Sequence, residues 1–85
     1  MSDTPDNQVM LTSVVRGRVQ GVGFRLSARF RAGKLNLTGW VINEPDGTVR
    51  VVCEGPRDRV EQFKNWLREG PPGAHVSDLE AREQP

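Results

Sequence analysis

The sequence is short of the residues on which small catalytic or cross-linked domains are usually built. It has one cysteine, one histidine and no tyrosine in 85 residues. A lone cysteine, Cys53, excludes an intrachain disulfide and a thiolate metal cluster. The histidine, His75, lies in a Gly/Pro-rich segment, and nothing in the sequence nominates the nucleophile and orienting carboxylate that a catalytic base would need. It reads as a surface residue. Charge of either sign is also not in excess: 12 Lys and Arg face 11 Asp and Glu, a net charge of +1 that offers no field for nucleic acid or acidic membranes. No apolar run approaches the roughly 20 residues needed to span a bilayer. Met1–Gln8 is polar, without the basic-then-apolar order of a signal peptide, and reads as a disordered tail. The expectation is a monomer in a reducing cytoplasm, with no cofactor and no nucleic-acid or membrane partner.

What is present suits a soluble globular domain. Apolar residues make up 35% and charged residues 27%. A chain of this size holds one domain, residues 9–85, and buries roughly 60% of the surface that its unfolded form exposes. Apolar residues gather in Val9–Val19, a first strand, and Gly17, Gly21 and Gly23 punctuate its end and the next few residues. From Phe24 the period changes to that of a helix, with Phe24, Ala28, Ala32 and Leu35 on one stripe. Leu26 and Phe30 fall on the opposite face. Asn36 stands where a left-handed residue ends a helix. Leu37–Asn43 and Thr48–Glu54 read as strands around Glu44-Pro45-Asp46-Gly47, where Pro presets φ and Gly takes a positive φ in a hairpin turn. A helix can begin at Pro56, with Val60, Phe63 and Leu67 on its buried face and Trp66 beside them. Gly70-Pro71-Pro72 stops it. A last strand covers about Val76–Arg82. The order β-α-β-β-α-β is the split βαβ pattern of an α+β, ferredoxin-like sandwich, an antiparallel sheet with both helices on one face.

The segment Gly17-Arg18-Val19-Gln20-Gly21-Val22-Gly23-Phe24-Arg25 leaves a strand, turns through glycines and enters a helix. Successive backbone N–H groups in such a turn can converge on an anion, aided by the partial positive charge of the helix N-terminus. Arg25 opposes that dipole by about 0.3–1 kcal/mol, a placement mildly wrong for stability and right for a bound phosphate. Its guanidinium fork can hold two phosphate oxygens. The same residues also fit a tight turn followed by a solvated arginine. A Walker A loop is excluded because Phe24-Arg25 stands where Lys-Ser/Thr is required. A dinucleotide fingerprint is excluded because Leu26 replaces the third glycine.

Val15 through Arg25 resembles the first acylphosphatase signature at each defining position. Gly39-Trp40-Val41-Ile42-Asn43, followed by Asp46-Gly47-Thr48-Val49 and Gly55, resembles the second. Phe63, Trp66 and Gly70–Val76 look like the family's second helix and its exit, so the likeness runs over about Leu11–Glu83. The resemblance implies hydrolysis of small-molecule acyl phosphates to a carboxylate and inorganic phosphate, without a metal. It assigns phosphate binding to Arg25, water positioning to Asn43, and a phosphate cradle to the amides of Gln20, Gly21, Val22, Gly23, Phe24 and Arg25. The chain departs from the family at Ile42, where a basic or polar residue is frequent, at Ala28, where Thr is frequent, and at Asn36, where Gly is usual.

The implied chemistry matches what these residues can supply. The leaving carboxylate has an acid pKa of about 4 and needs no protonation. Phosphoryl transfer through a loose transition state depends mostly on positioning and charge stabilisation. An asparagine cannot take a proton at neutral pH, but its carbonyl can accept a hydrogen bond from water and aim it. Cys53 reads as a small buried hydrophobe, Trp40 and Trp66 as core or rim, and Asp46 as a turn residue. Three rival functions fit the residues less well. RNA-recognition domains share the element order but stack bases on aromatics of the central strands, and Val9–Val19 and Thr48–Glu54 have none. An acylphosphatase-like domain serving carbamoyl transfer normally belongs to a larger multidomain protein. An inactive anion-binding relative would not be expected to keep both Arg25 and Asn43.

Overall fold

The computed structural model describes residues 7–85. Its elements run β1 (Gln8–Arg18), α1 (Phe24–Lys34), β2 (Thr38–Asn43), β3 (Val49–Pro56), α2 (Arg57–Leu67) and β4 (His75–Gln84). The four strands form one sheet in the order β2-β3-β1-β4, with each neighbouring pair antiparallel. This is the expected ferredoxin-like arrangement. β1-α1-β2 is one split unit with β3 between its strands, and β3-α2-β4 is the second with β1 between them.

Alternation in the central strands decides which face the helices cover. On β1, Val9, Leu11, Ser13 and Val15 are buried, and Val49, Val51 and Cys53 on β3 join them. The helices close this face with Phe24 and Ala28 from α1 and Val60, Phe63 and Leu67 from α2. Burying each large apolar side chain of this set stabilises the fold by about 1.5–3 kcal/mol before entropy is counted. Ser13 is the polar member of the buried row, and its hydroxyl donates to the Val51 carbonyl at 3.2 Å. The other sheet face carries Thr12 and Val14, paired with Val52 and Arg50, and the exposed Trp40 and Ile42 of β2. Trp40 therefore sits on the edge strand, away from the central strands where an RNA-stacking aromatic would stand.

Several local expectations hold. Asn36 has φ 57° and Gly47 has φ 93°. Ala32 and Leu35 pack against the core together with Trp66. Leu26 and Phe30 are 70% and 68% exposed, so the off-stripe face of α1 is open to solvent. The Lys34 ammonium lies 5.4 Å from the Phe30 ring centroid. Boundaries differ in a few places. The tail expected over residues 1–8 lies mostly outside the described residues, but Gln8 belongs to β1, where it pairs with Pro56. Leu37 and Thr48 fall just outside the strands, and β4 extends to Gln84, held along β1 by a register that shifts between Arg16 and Gly17. No helix among the described residues is long and apolar enough to cross a membrane.

Candidate active site

The loop after β1 is anchored by three apolar side chains. Val19 and Phe24 are each 1% exposed, and Val22 packs against the same core. Between these anchors Gly21 and Gly23 take φ 78° and 77°. A Cβ at either would meet nothing within 4 Å, so the left-handed backbone, rather than crowding, calls for glycine. The outer side of the loop is left open to a ligand.

Gly23 is the N-cap of α1 and provides no side-chain cap, and the first turn has no acidic residue. The first intrahelical bond runs from the Ser27 N–H to the Gly23 carbonyl at 3.0 Å. The N–H groups of the preceding residues therefore lack the partner that a Ser, Thr or Asp cap would supply, and an anion can satisfy them. Arg25 stands in this first turn and is exposed. Among the described residues no carboxylate lies within ion-pair distance of its guanidinium. Arg18, at the end of β1, is exposed as well.

Asn43 is the last residue of β2 and is exposed, in register with Val49. The turn beyond it is built tightly. Glu44 N–H donates to the Thr48 carbonyl at 2.9 Å, and Gly47 N–H to the Glu44 carbonyl at 3.1 Å. The Asp46 Oδ1 accepts from both the N–H and the hydroxyl of Thr48, at 3.0 and 2.7 Å. These bonds hold the Asp46 carboxyl below the usual carboxylate range. Arg50 Nε lies 3.1 Å from Glu44 Oε2 across the base of the hairpin. Asp46 is thus a turn residue, as expected.

The loop and the hairpin are joined by a side chain whose sequence motif marks only its backbone. Gln20 Nε2 donates to the carbonyls of Glu44 and Thr48, each at 2.9 Å. The bonds span 24 and 28 residues, so no local sequence signal announces them. Ala28 is buried and lines a cavity of about 160 Å³ between α1 and β2, with Val41 and Cys53 among the other walls. Ala28, where the family resemblance leads one to expect Thr, thus faces the interior between α1 and β2. Cys53 is buried and free, and burial pushes its thiol up to about 11, in keeping with a packing role. His75 opens β4, is exposed, and pairs with Arg18 across the sheet.

Comparison with known proteins agrees with this architecture. The acylphosphatase family model matches residues 11–85. The chain is 52% identical over 79 residues to an acylphosphatase of Trichormus variabilis, covering 92% of this chain and 78% of that one. It is 47% identical over 78 residues to an acylphosphatase of Pseudomonas aeruginosa, covering 92% and 86%. The solved structure of an acylphosphatase from Coxiella burnetii superimposes with a TM-score of 0.91 at 43% identity, covering 99% of this chain and 88% of that one. The chain belongs to the acylphosphatase family, enzymes that hydrolyse acyl phosphates to a carboxylate and inorganic phosphate.

Proposed function

We propose that this chain hydrolyses acyl phosphates by metal-independent attack of one oriented water on phosphorus, with Arg25 and Asn43 in separate roles. The observation that carries the proposal is the uncapped, acid-free first turn of α1, which leaves Arg25 and the loop amides available to the same anion. The phosphoryl group lies against the amides of Gln20–Arg25, and the Arg25 guanidinium holds two of its oxygens. Asn43 accepts a hydrogen bond from water through its side-chain carbonyl and aims the oxygen at phosphorus.

As the water oxygen bonds to phosphorus, the bond from phosphorus to the acyl oxygen breaks. The carboxylate leaves with the electron pair and needs no proton at neutral pH. One water proton stays on the phosphate product and the other rests there or passes to solvent, so no general base is required. Arg25 offsets charge on the equatorial oxygens throughout, where phosphoryl transfer most needs it. The proposal includes a cytoplasmic monomer, in keeping with the free thiol of Cys53.

The test is hydrolysis of benzoyl phosphate in ¹⁸O-labelled water with excess chelator. Turnover at the unchelated rate, with the label in inorganic phosphate, is the expected result. Label in benzoate would mean attack at carbon, and loss of turnover in chelator would mean a required metal.

A further inference from the structure

Asn43 can aim a water only if its own position is fixed relative to the bound phosphoryl group. β2, which carries it, is an edge strand of the sheet, so its last residue is held by ladder bonds on the β3 side alone. Strand ends with support on one side open locally at low cost. A second support at this end of β2 comes from the Gln20 side chain.

Both hydrogen bonds of the Gln20 amide go to backbone carbonyls, those of Glu44 and Thr48. Two carbonyl acceptors require the NH₂ group at this place, because the amide oxygen would be set against two other oxygens. Each of these carbonyls also accepts a bond within the turn, so Gln20 takes the remaining lone pair of both. The clamp closes the neck of the hairpin one residue from Asn43 on its own strand and one residue from Val49, its partner on β3.

We infer that Gln20 is a positioning residue: its side-chain amide sets the distance between Asn43 and the phosphate cradle to which its own backbone belongs. The inference rests on the roles proposed above for Asn43 and the loop amides. One residue then holds the two halves of the site in register, its main chain on the anion side and its side chain on the water side. A misplacement of about 1 Å in such a site costs up to about 100-fold in rate. The cradle amides and Arg25 are untouched by loss of the side chain, so turnover should suffer and phosphate affinity should not.

The experiment is a double-mutant cycle of Gln20→Met, which keeps the length and removes both donors, with Asn43→Ala. It reads kcat for benzoyl phosphate, Ki for inorganic phosphate, and the amide chemical shifts of Glu44 and Thr48. Gln20→Asn, which keeps the amide but withdraws it by one carbon, serves the same cycle should the Met variant not fold. The expected result is a fall in kcat of about 10–100-fold from Gln20→Met alone, with Ki changed less than about 3-fold. In the Asn43→Ala background the same change should cost less than about 2-fold. Equal losses in both backgrounds, or a Ki that worsens in step with kcat, would overturn the inference while leaving the role of Asn43 intact. Undiminished turnover by Asn43→Ala alone would instead remove that role, and this inference with it.

Discussion

Phe24 and Trp66 meet with ring centroids 5.5 Å apart and planes inclined by 47°, so the first residue of α1 is locked to α2. The next residue, Arg25, is left exposed immediately beyond this contact. Trp66 in turn stacks on Phe63, at 6.1 Å and 6°, which ties the contact to the core. The loop that turns toward solvent is thus held by an aromatic cluster on its inner side.

This relationship makes Gly70→Ala informative. Gly70 has φ 72°, and a Cβ there would lie 2.7 Å from the Phe24 ring. The left-handed backbone alone costs a non-glycine residue about 1–2 kcal/mol. Displacement of Phe24 should also disturb the cradle. Gly70→Ala is expected to lower the urea midpoint and raise the Ki for phosphate together. A stability loss with unchanged Ki would show that the loop does not depend on the Phe24 anchor.

The Asp46–Thr48 turn predicts an acid-sensitive hairpin. The Thr48 hydroxyl and N–H hold the Asp46 carboxyl below its ordinary range, so the unfolded chain takes up that proton first as pH falls. The stability it contributes is present above the ordinary aspartate pKa and is lost as pH drops through the lower folded value. Urea midpoints measured from pH 7 down to the acid range should fall less steeply in Asp46→Ala than in wild type. Parallel profiles would contradict the assignment.

Cys53 should be silent in the native state. Its thiol, pushed up to about 11 by burial and secondarily by Glu54, is ionised to roughly one part in a thousand at pH 8. Modification by an aromatic disulfide should therefore track unfolding, accelerating with urea in proportion to the open population. Fast modification without denaturant would mean that the cavity beside Cys53 admits the reagent.

Two ion pairs of similar length should differ in worth. Lys64 Nζ lies 2.7 Å from Glu83 Oε2, with side chains 17% and 24% exposed, and joins α2 to β4. Arg16 meets Glu80 at 2.9 Å with both largely in solvent. Glu83→Gln should cost about 1 kcal/mol, because half-buried Lys64 then keeps only its longer pair with Glu61, at 3.4 Å. Glu80→Gln should leave stability nearly unchanged, because both partners are solvated. Thermal unfolding of the two variants side by side checks the order.

Much of this architecture is legible in the sequence because it is locally encoded. The Phe24–Ala28 stripe, the Val60–Phe63–Leu67 face and the Pro45-Asp46-Gly47 turn each act within a few residues, and each appears where its chemistry requires. Asn36 and Gly47 adopt the positive φ that their residue types allow. The strand ends are harder to read. Gln8 and Gln84 are polar, and each is held by its neighbour strand rather than by any pattern of its own. The site is half visible. Gly21, Gly23 and Arg25 mark the loop proposed to hold an anion, but the bonds from Gln20 to Glu44 and Thr48 join segments that only the folded sheet brings together. Side chains that clamp distant backbone carry no periodicity and no spacing.

The proposed division of labour between Arg25 and Asn43 is tested most directly by the two constants of Asn43→Ala, kcat for benzoyl phosphate and Ki for inorganic phosphate, with Arg25→Ala alongside. Asn43→Ala is expected to lose about 100-fold in kcat while Ki stays within about 3-fold, and Arg25→Ala to weaken phosphate binding by about 30-fold or more. Equal losses of turnover and phosphate binding in Asn43→Ala, or turnover at the wild-type rate, would contradict the assignment of the water to Asn43.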